Sequence, residues 1–276
     1  MTLPACLPTE KRTLLRFRGP DAERYLNGQL TQDVRACTAE SALLSCVTDA
    51  KGRLQYFVRI FRDGKGDLLV DAPLPDREDL LARLTKYLIA DDVEVDDESD
   101  AWEMTHVAGG DLPEGAMVLR SARIAPDGYD VWNAAGKKAP FPATLPEEES
   151  ENLRILNRIP AWGTELIPGM LPPEAGLDRS AISYRKGCYI GQEVLSRMKT
   201  AGKLNRRLAA LRVEGSVTAG DLLSGGGIVT SVSTIPDPET GLHPALGYLH
   251  KSQFEAKEIE IAATDGSIKG AATVIA

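Results

Sequence analysis

The chain has 276 residues, which at about 150 residues per domain on average suggests one large domain or two to three small ones, and its 43% hydrophobic and 26% charged fractions exclude collagen-like, coiled-coil and wholly disordered proteins. Forty acidic residues against 32 basic ones give a formal charge of −8, so the molecule as a whole repels polyanions and can hold one only at a local basic patch. No basic flank followed by an apolar run opens the sequence, and nothing approaches the roughly 20 apolar residues of a membrane span, so a cytoplasmic protein without a membrane partner is expected.

Residues 13–18 read as a short strand, and Pro20-Asp21 opens a helix whose Ala22, Tyr25, Leu26 and Leu30 share one face. Strands are expected at 43–48 and, after the turn residues Asp49 to Gly52, at 54–61 and 67–71; the last two are joined by Asp63-Gly64-Lys65-Gly66 as a hairpin. Residues 74–90 place Leu80, Leu81, Leu84, Leu88 and Ile89 at helical spacing behind a proline, an amphipathic helix. Seven acids within 91–100, with Val93 and Val95 between them, suggest a short edge strand with a solvated face. Strands at 102–107, 117–121 and 129–132 extend an antiparallel sheet covered by helices, and a second helix spans 147–158 between Pro146 and Pro160. The proline- and glycine-rich loop 161–178 has the length that often carries function. Beyond Leu208, β-rich pieces at 209–213, 227–233, 245–249, 258–262 and 272–275 alternate with turns, the pattern of a small barrel or sandwich. Gly225-Gly226-Gly227 precedes a strand and lacks a lysine, so it reads as a barrel turn, not a phosphate loop.

One strip departs from the acidic average. From 179 to 212 there are nine basic residues (Arg179, Arg185, Lys186, Arg197, Lys199, Lys203, Arg206, Arg207 and Arg212) and one acid, Glu193. Such a strip would draw an anionic ligand: a phosphate, a polyglutamate tail or RNA. Within it, Cys188 lies between Gly187 and Gly191, with cations before and after; nearby cations favour a thiolate, the form that attacks electrophiles. The alternative is a small buried cysteine, the reading given to Cys6, Cys37 and Cys46. No Cys-x-x-Cys pair occurs, and His106, His243 and His250 lack zinc-ligand spacing, so no metal site is expected. Glu193 and Arg197, four apart, suit a helix-surface ion pair.

The run Lys186-Gly187-Cys188-Tyr189-Ile190-Gly191-Gln192-Glu193, with Arg197 following, resembles the K-G-C-Y-x-G-Q-E-x-x-x-R signature of YgfZ-type folate-binding proteins, relatives of the glycine-cleavage T-protein that serve iron-sulfur proteins. Gly19-Pro20-Asp21-Ala22 with 25–34, Lys51-Gly52-Arg53, the segments 158–160 and 172–178, and 245–249 are similar to further family segments, so the resemblance covers nearly the whole chain. It implies an α+β, three-lobed T-protein-like ring around a central opening. Its parts would be a bipartite folate-binding body (1–48 and 135–204), an inserted ferredoxin-like lobe (49–134) and a C-terminal antiparallel β-barrel (205–276).

The resemblance also implies a tetrahydrofolate-binding accessory protein that supports assembly or repair of iron-sulfur enzymes, tRNA-modifying ones among them. The cofactor would be tetrahydrofolate or a one-carbon derivative, and the partners iron-sulfur enzymes or their assembly machinery. On this resemblance Cys188 is the candidate thiolate, Lys186 and Arg197 set its charge, and Gly187, Tyr189, Gly191, Gln192 and Glu193 shape the site; Asn27, Gln29, Asp33 and Lys199 are expected to bind folate. One cysteine is too few for four-thiolate cluster ligation. The rival is an aminomethyltransferase of glycine cleavage, but the segment where that branch carries its aspartate reads Arg53-Leu54-Gln55-Tyr56-Phe57, and of its pterin-holding turn only Asp127-Gly128 remains. Direct nucleic-acid binding is not expected, since Tyr184 and Tyr189 are the strip's only rings.

Overall fold

Three β-sheets and four α-helices organise the chain in the computed structural model, which describes residues 4–111, 113–137, 141 and 143–275. The first half runs β1 (Ala5–Cys6), β2 (Thr13–Arg18), α1 (Ala22–Gln29), β3 (Leu43–Thr48), β4 (Leu54–Arg62), β5 (Leu68–Ala72), α2 (Arg77–Thr85), β6 (Glu94–Asp97), β7 (Trp102–Ala108), β8 (Met117–Arg120) and β9 (Gly128–Ala134). The second half adds α3 (Glu147–Leu156), α4 (Gln192–Ala201), β10 (Arg206–Gly215), β11 (Leu222–Leu223), β12 (Gly227–Val232), β13 (His243–His250), β14 (Glu258–Ala262) and β15 (Ile268–Ile275).

The strands form a five-stranded sheet, β3-β4-β5-β2-β6, a four-stranded sheet, β1-β7-β9-β8, and a closed barrel, β10-β13-β12-β11-β14-β15. Successive side chains of a strand face opposite ways, and β2 is buried on both sides. Leu15 and Phe17 pack with Tyr25 and Leu26 of α1 and Leu80 and Leu84 of α2, whereas Leu14 joins Phe61 and Leu69 against Met104, Leu119 and Trp132 of the four-stranded sheet. The five-stranded sheet is therefore a middle layer, with helices on one face and a second sheet on the other.

The division expected at 48/49 falls in the turn of a hairpin, since β3 and β4 pair from Leu43↔Ile60 to Thr48↔Leu54. Sheet membership crosses it: β2 and β3 share a sheet with β4, β5 and β6. The barrel strands all lie within 205–276.

Two local expectations are corrected. The helix expected over 74–90 is a 3-10 turn at Leu74–Asp76 followed by α2, which stops at Thr85. There the Leu88 N–H bonds the Thr85 carbonyl in a tighter turn, so Leu88 still reaches the core while Ile89 is left 89% exposed. The acidic run at 91–100 does contain an edge strand, β6, paired with β2, but its face is not merely solvated. Arg16 lies between Glu98 (2.6 Å), Asp63 (2.5 Å) and Asp67 (3.0 Å), Arg18 pairs with Asp96, and Arg77 pairs with Asp97 (2.6 Å). The acids neutralise arginines of neighbouring elements.

The barrel is tied to the rest through Glu165, whose side chain is fully buried. Its carboxylate accepts from Arg154 Nη1 (2.9 Å), the Ala161 N–H (3.0 Å), Thr230 Oγ1 (2.8 Å) and Ser231 Oγ (2.6 Å), and its carbonyl accepts from the Tyr248 hydroxyl (2.8 Å). Among the described residues no helix is long and apolar enough to cross a membrane.

Candidate functional site

A helix leaves its last carbonyls without intrahelical partners, and at the end of α1 the signature loop supplies the donors. Lys186 is 7% exposed, and its Nζ donates to the carbonyls of Asn27 (2.6 Å), Leu30 (2.7 Å) and Gln32 (2.8 Å). Burial pushes its pKa down to about 7, while three carbonyls match the three donors of the ammonium. The same ammonium lies 5.1 Å from the Tyr189 ring centroid. Next along the loop, Ile190 N–H donates to the Gly28 carbonyl (3.2 Å) and Thr48 Oγ1 donates to the Ile190 carbonyl (2.6 Å). Gly191 then starts α4 at φ +88°, where a Cβ would lie 2.5 Å from the Asp49 carbonyl oxygen and 2.9 Å from the Gly52 Cα. Glycine is required because the Asp49 to Arg53 turn closes directly on this helix start.

The signature is thus largely a docking device. Tyr189 is buried, and the hydroxyls of Tyr184 and Tyr189 are buried without a hydrogen-bond partner among the described residues. Gln192 and Glu193 form the first turn of α4, and Glu193 pairs with Arg197 at 2.7 Å on an exposed face, an interaction worth a few tenths of a kcal/mol. Gly187 and Cys188 are exposed on the outside of the loop. Cys6, Cys37 and Cys46 are buried, and burial pushes the thiols of Cys37 and Cys46 up to about 12.

The residues expected to bind folate have intramolecular partners. Asn27 Oδ1 accepts from the Val34 N–H (3.1 Å), Gln29 Oε1 from Arg83 (3.0 Å), and Asp33 from the Arg35 guanidinium (2.9 and 2.8 Å). Lys199 pairs with Asp178 at 3.3 Å and lies 5.2 Å from the Tyr184 ring, beside a small hollow of about 200 Å³. The basic strip is dispersed in the same way: Arg206 pairs with Glu174 (2.8 Å) and Arg212 with Asp237 (2.9 Å). Among the described residues Arg179, Arg185 and Lys203 make no ion pair.

A cavity of about 420 Å³ lies where β3 and β4, the β8–β9 connection, the end of α3 and the loop 161–178 meet, within the usual size for a small-molecule site. Leu44, Phe57, Trp162 and Leu177 give it apolar and aromatic walls; Arg12, Arg59, Arg123, Arg154 and Arg158 give it cations, and among the described residues no carboxylate lines it. None of Cys188, Asn27, Gln29, Asp33 or Lys199 belongs to its lining.

Acids behind the wall neutralise three of the arginines. Asp71 pairs with Arg12 and Arg123 (2.7 Å to the latter), Asp130 with Arg123 (2.7 Å) and His106 (2.9 Å), and Glu165 with Arg154. Among the described residues Arg59 makes no ion pair: its Nη2 donates to the Ala122 carbonyl (3.1 Å) and its buried Nε has no partner. Burial, with the Arg123 charge nearby, pushes its pKa down to about 9. A cation without a counter-ion beside an aromatic wall suits a flat heterocycle carrying a carboxylate.

Arg158 adds strain to this wall. Its N–H bonds the Ile155 carbonyl (3.0 Å) and the Ile159 N–H bonds the Arg154 carbonyl (3.1 Å), ending α3 in a Schellman motif with Arg158 at φ +60°. Glycine is the usual residue there, and arginine costs about 1–2 kcal/mol more. Strained residues of this kind cluster at functional sites. Sequence reasoning missed Phe57, Arg59, Arg123, Arg158 and Trp162. One signal was present: Phe57 and Arg59, two apart on a strand, share a face, and Arg59 interrupts an otherwise apolar run.

No family model matches the chain. The tRNA-modifying protein YgfZ of Escherichia coli O157:H7 is 30% identical over 236 residues, covering 75% of this chain and 71% of the relative. An aminomethyltransferase of Rubrobacter xylanophilus is 27% identical over 239 residues, 72% of this chain and 62% of its own length. A mitochondrial iron-sulfur cluster assembly factor IBA57 homolog of Pyricularia oryzae is 26% identical over 251 residues, 84% of this chain and 64% of its own. The chain thus spans just under two thirds of these last two relatives. Among solved structures, the glycine cleavage system aminomethyltransferase T from Bartonella henselae superposes with a TM-score of 0.79 over 98% of this chain and 84% of that one, at 15% identity. The chain therefore has the T-protein fold.

Proposed function

Since the chain belongs to the YgfZ family, we propose that it is a cytoplasmic tetrahydrofolate-binding accessory protein that supports assembly or repair of iron-sulfur enzymes, tRNA-modifying ones among them. The observation that carries the folate part is the cavity, with its aromatic walls and the uncompensated Arg59. A reduced folate joins a flat pterin to an anionic glutamate, so Phe57 and Trp162 would enclose the ring system while Arg59 and Arg158 hold the carboxylates. When bound, it supplies one-carbon units. Aminomethyl transfer is disfavoured, because a general acid or base must reach the reacting nitrogen and among the described residues no carboxylate lines the cavity; Gln55, in the segment where the transferase branch has its aspartate, accepts from Arg83 instead (2.7 Å).

The partner side of the reading rests on relatives whose names refer to iron-sulfur cluster assembly and tRNA modification. Cys188 serves that side: its thiol is exposed on the outside of the signature loop and is absent from the cavity lining, so it is offered to a partner protein and not to a ligand in the cavity.

Calorimetric titration with tetrahydrofolate tests the proposal. Saturable binding is expected, weakened about 10- to 100-fold in Arg59→Met, the loss of a charge-assisted contact of roughly 1.5–3 kcal/mol, with no loss of thermal stability. Absence of saturable heat with tetrahydrofolate and with its methylene derivative, in folded wild-type protein, would refute it.

A further inference from the structure

A second hollow, of about 580 Å³, lies between the barrel strands β10 and β15, the segment 254–257 and the loop leaving α3. It meets the first cavity at Arg158 and Ala175, which line both. The two differ in chemistry. The first is walled by aromatic and apolar side chains; the second is floored by Ala209, Ala210 and Ala256 and ringed by Arg158, Arg179, Arg207 and Lys257 against one acid, Glu255.

Arg207 is held by donating to the Phe254 carbonyl (2.5 Å) with its guanidinium 4.6 Å from the Phe254 ring centroid. Among the described residues its partners are a carbonyl and a ring, and no acid pairs with it. Arg179 and Lys257 are exposed and make no ion pair among the described residues. In a chain of net charge −8, an open groove that sets Arg179, Arg207 and Lys257 against Glu255 alone is arranged for negative charge. Its alanines lie among Leu208, Leu246 and Phe254, an apolar bed for the methylenes of a chain whose carboxylates reach the basic rim. What fits is a flexible chain with a carboxylate at each repeat, leaving the first cavity past Arg158.

We propose that this groove binds the γ-linked oligoglutamate extension of a polyglutamylated folate, so that the ligand is the polyglutamylated form and the barrel contributes to recognising it. The inference rests on the folate reading of the first cavity and adds a ligand class and a subsite to it. The Arg158 backbone strain gains a reason here, since its side chain stands where head and tail meet.

The test is titration of the full chain with tetrahydropteroyl monoglutamate and with the pentaglutamate, in wild type and in an Arg179→Glu/Lys257→Glu double variant, at low and high salt. Wild type should bind the pentaglutamate about tenfold more tightly, an advantage of roughly 1.4 kcal/mol. That advantage should vanish in the double variant and shrink at high salt, with monoglutamate affinity unchanged in the variant. Equal wild-type affinity for the two forms, or a pentaglutamate advantage that survives the double variant, overturns the tail site and leaves the folate reading standing. Failure of both forms to bind folded wild-type protein overturns both. Both substituted side chains are exposed, and the salt series on wild type reads the same contact without any substitution.

Discussion

Replacing Lys186 with methionine keeps the stem packed beside Tyr189 and removes only the ammonium. The carbonyls of Asn27, Leu30 and Gln32 then lose their shared donor. The bond to Leu30 is wholly buried, and an acceptor stranded there costs about 1–3 kcal/mol; the other two lie at the margin, where water restores part of each bond. A net loss of about 2–4 kcal/mol is expected. For a chain of this size that lowers the melting temperature by roughly 4–16 °C, at about 2–4 °C per kcal/mol. Urea and thermal unfolding would measure it, with folate titration performed well below the transition. Lys186→Arg should also be destabilised, because a planar guanidinium cannot aim three donors at three converging oxygens. Stability within about 0.5 kcal/mol of wild type, together with lost folate binding, would show that Lys186 is a ligand-facing cation and that the docking account of the signature is wrong.

Gly191→Ala should lose about 2 kcal/mol or more in urea unfolding, combining left-handed strain with a Cβ 2.5 Å from the Asp49 oxygen, whereas Gly187→Ala, with open space around it, should change little. Native-state alkylation followed by mass spectrometry should modify Cys188 alone, with Cys6, Cys37 and Cys46 reacting only after unfolding; support of iron-sulfur enzymes in cells should fall in both Cys188→Ala and Cys188→Ser if the thiol contacts the partner chemically. Burial alone would raise the Asp130 carboxyl, but Arg123 and His106 hold it well below its usual value. Its folded pKa thus lies below the unfolded one, and its stabilising contribution is complete above about pH 4 and lost as the pH falls below that. Asp130→Asn should cost about 3–5 kcal/mol at pH 7 and flatten the acid limb of a stability-against-pH curve.

Strand positions were legible where burial is continuous: the bounds of β2, β3 and β14 follow directly from short β-forming runs between turn residues. The end of α2 was not, because the apolar spacing continues through Leu88 and Ile89 and only the shape of the core decides that the helix stops at Thr85. The signature was legible as a motif, but its mechanics were not, since the three acceptors of Lys186 lie 154 to 159 positions earlier in the chain. For the same reason the basic strip overstated its own charge: Glu174, Asp178 and Asp237 reach it from outside or from its border. The cavity leaves no local trace, because Arg12, Arg59, Arg123 and Arg158 come from separate elements and become neighbours only when the sheets stack.

The four hydrogen bonds that converge on the Glu165 carboxylate bear on kinetics. A loop riveted at one buried residue to a helix on one side and a closed barrel on the other cannot swing as a lid. On the proposed function the cavity is then a stationary socket, and ligand exchange is expected to run through its mouth without waiting for a hinge. Release is then governed by how many wall contacts must break at once, so residence time should lengthen with the ligand's size and charge. Amide protection in 161–178 should be high even in the ligand-free protein.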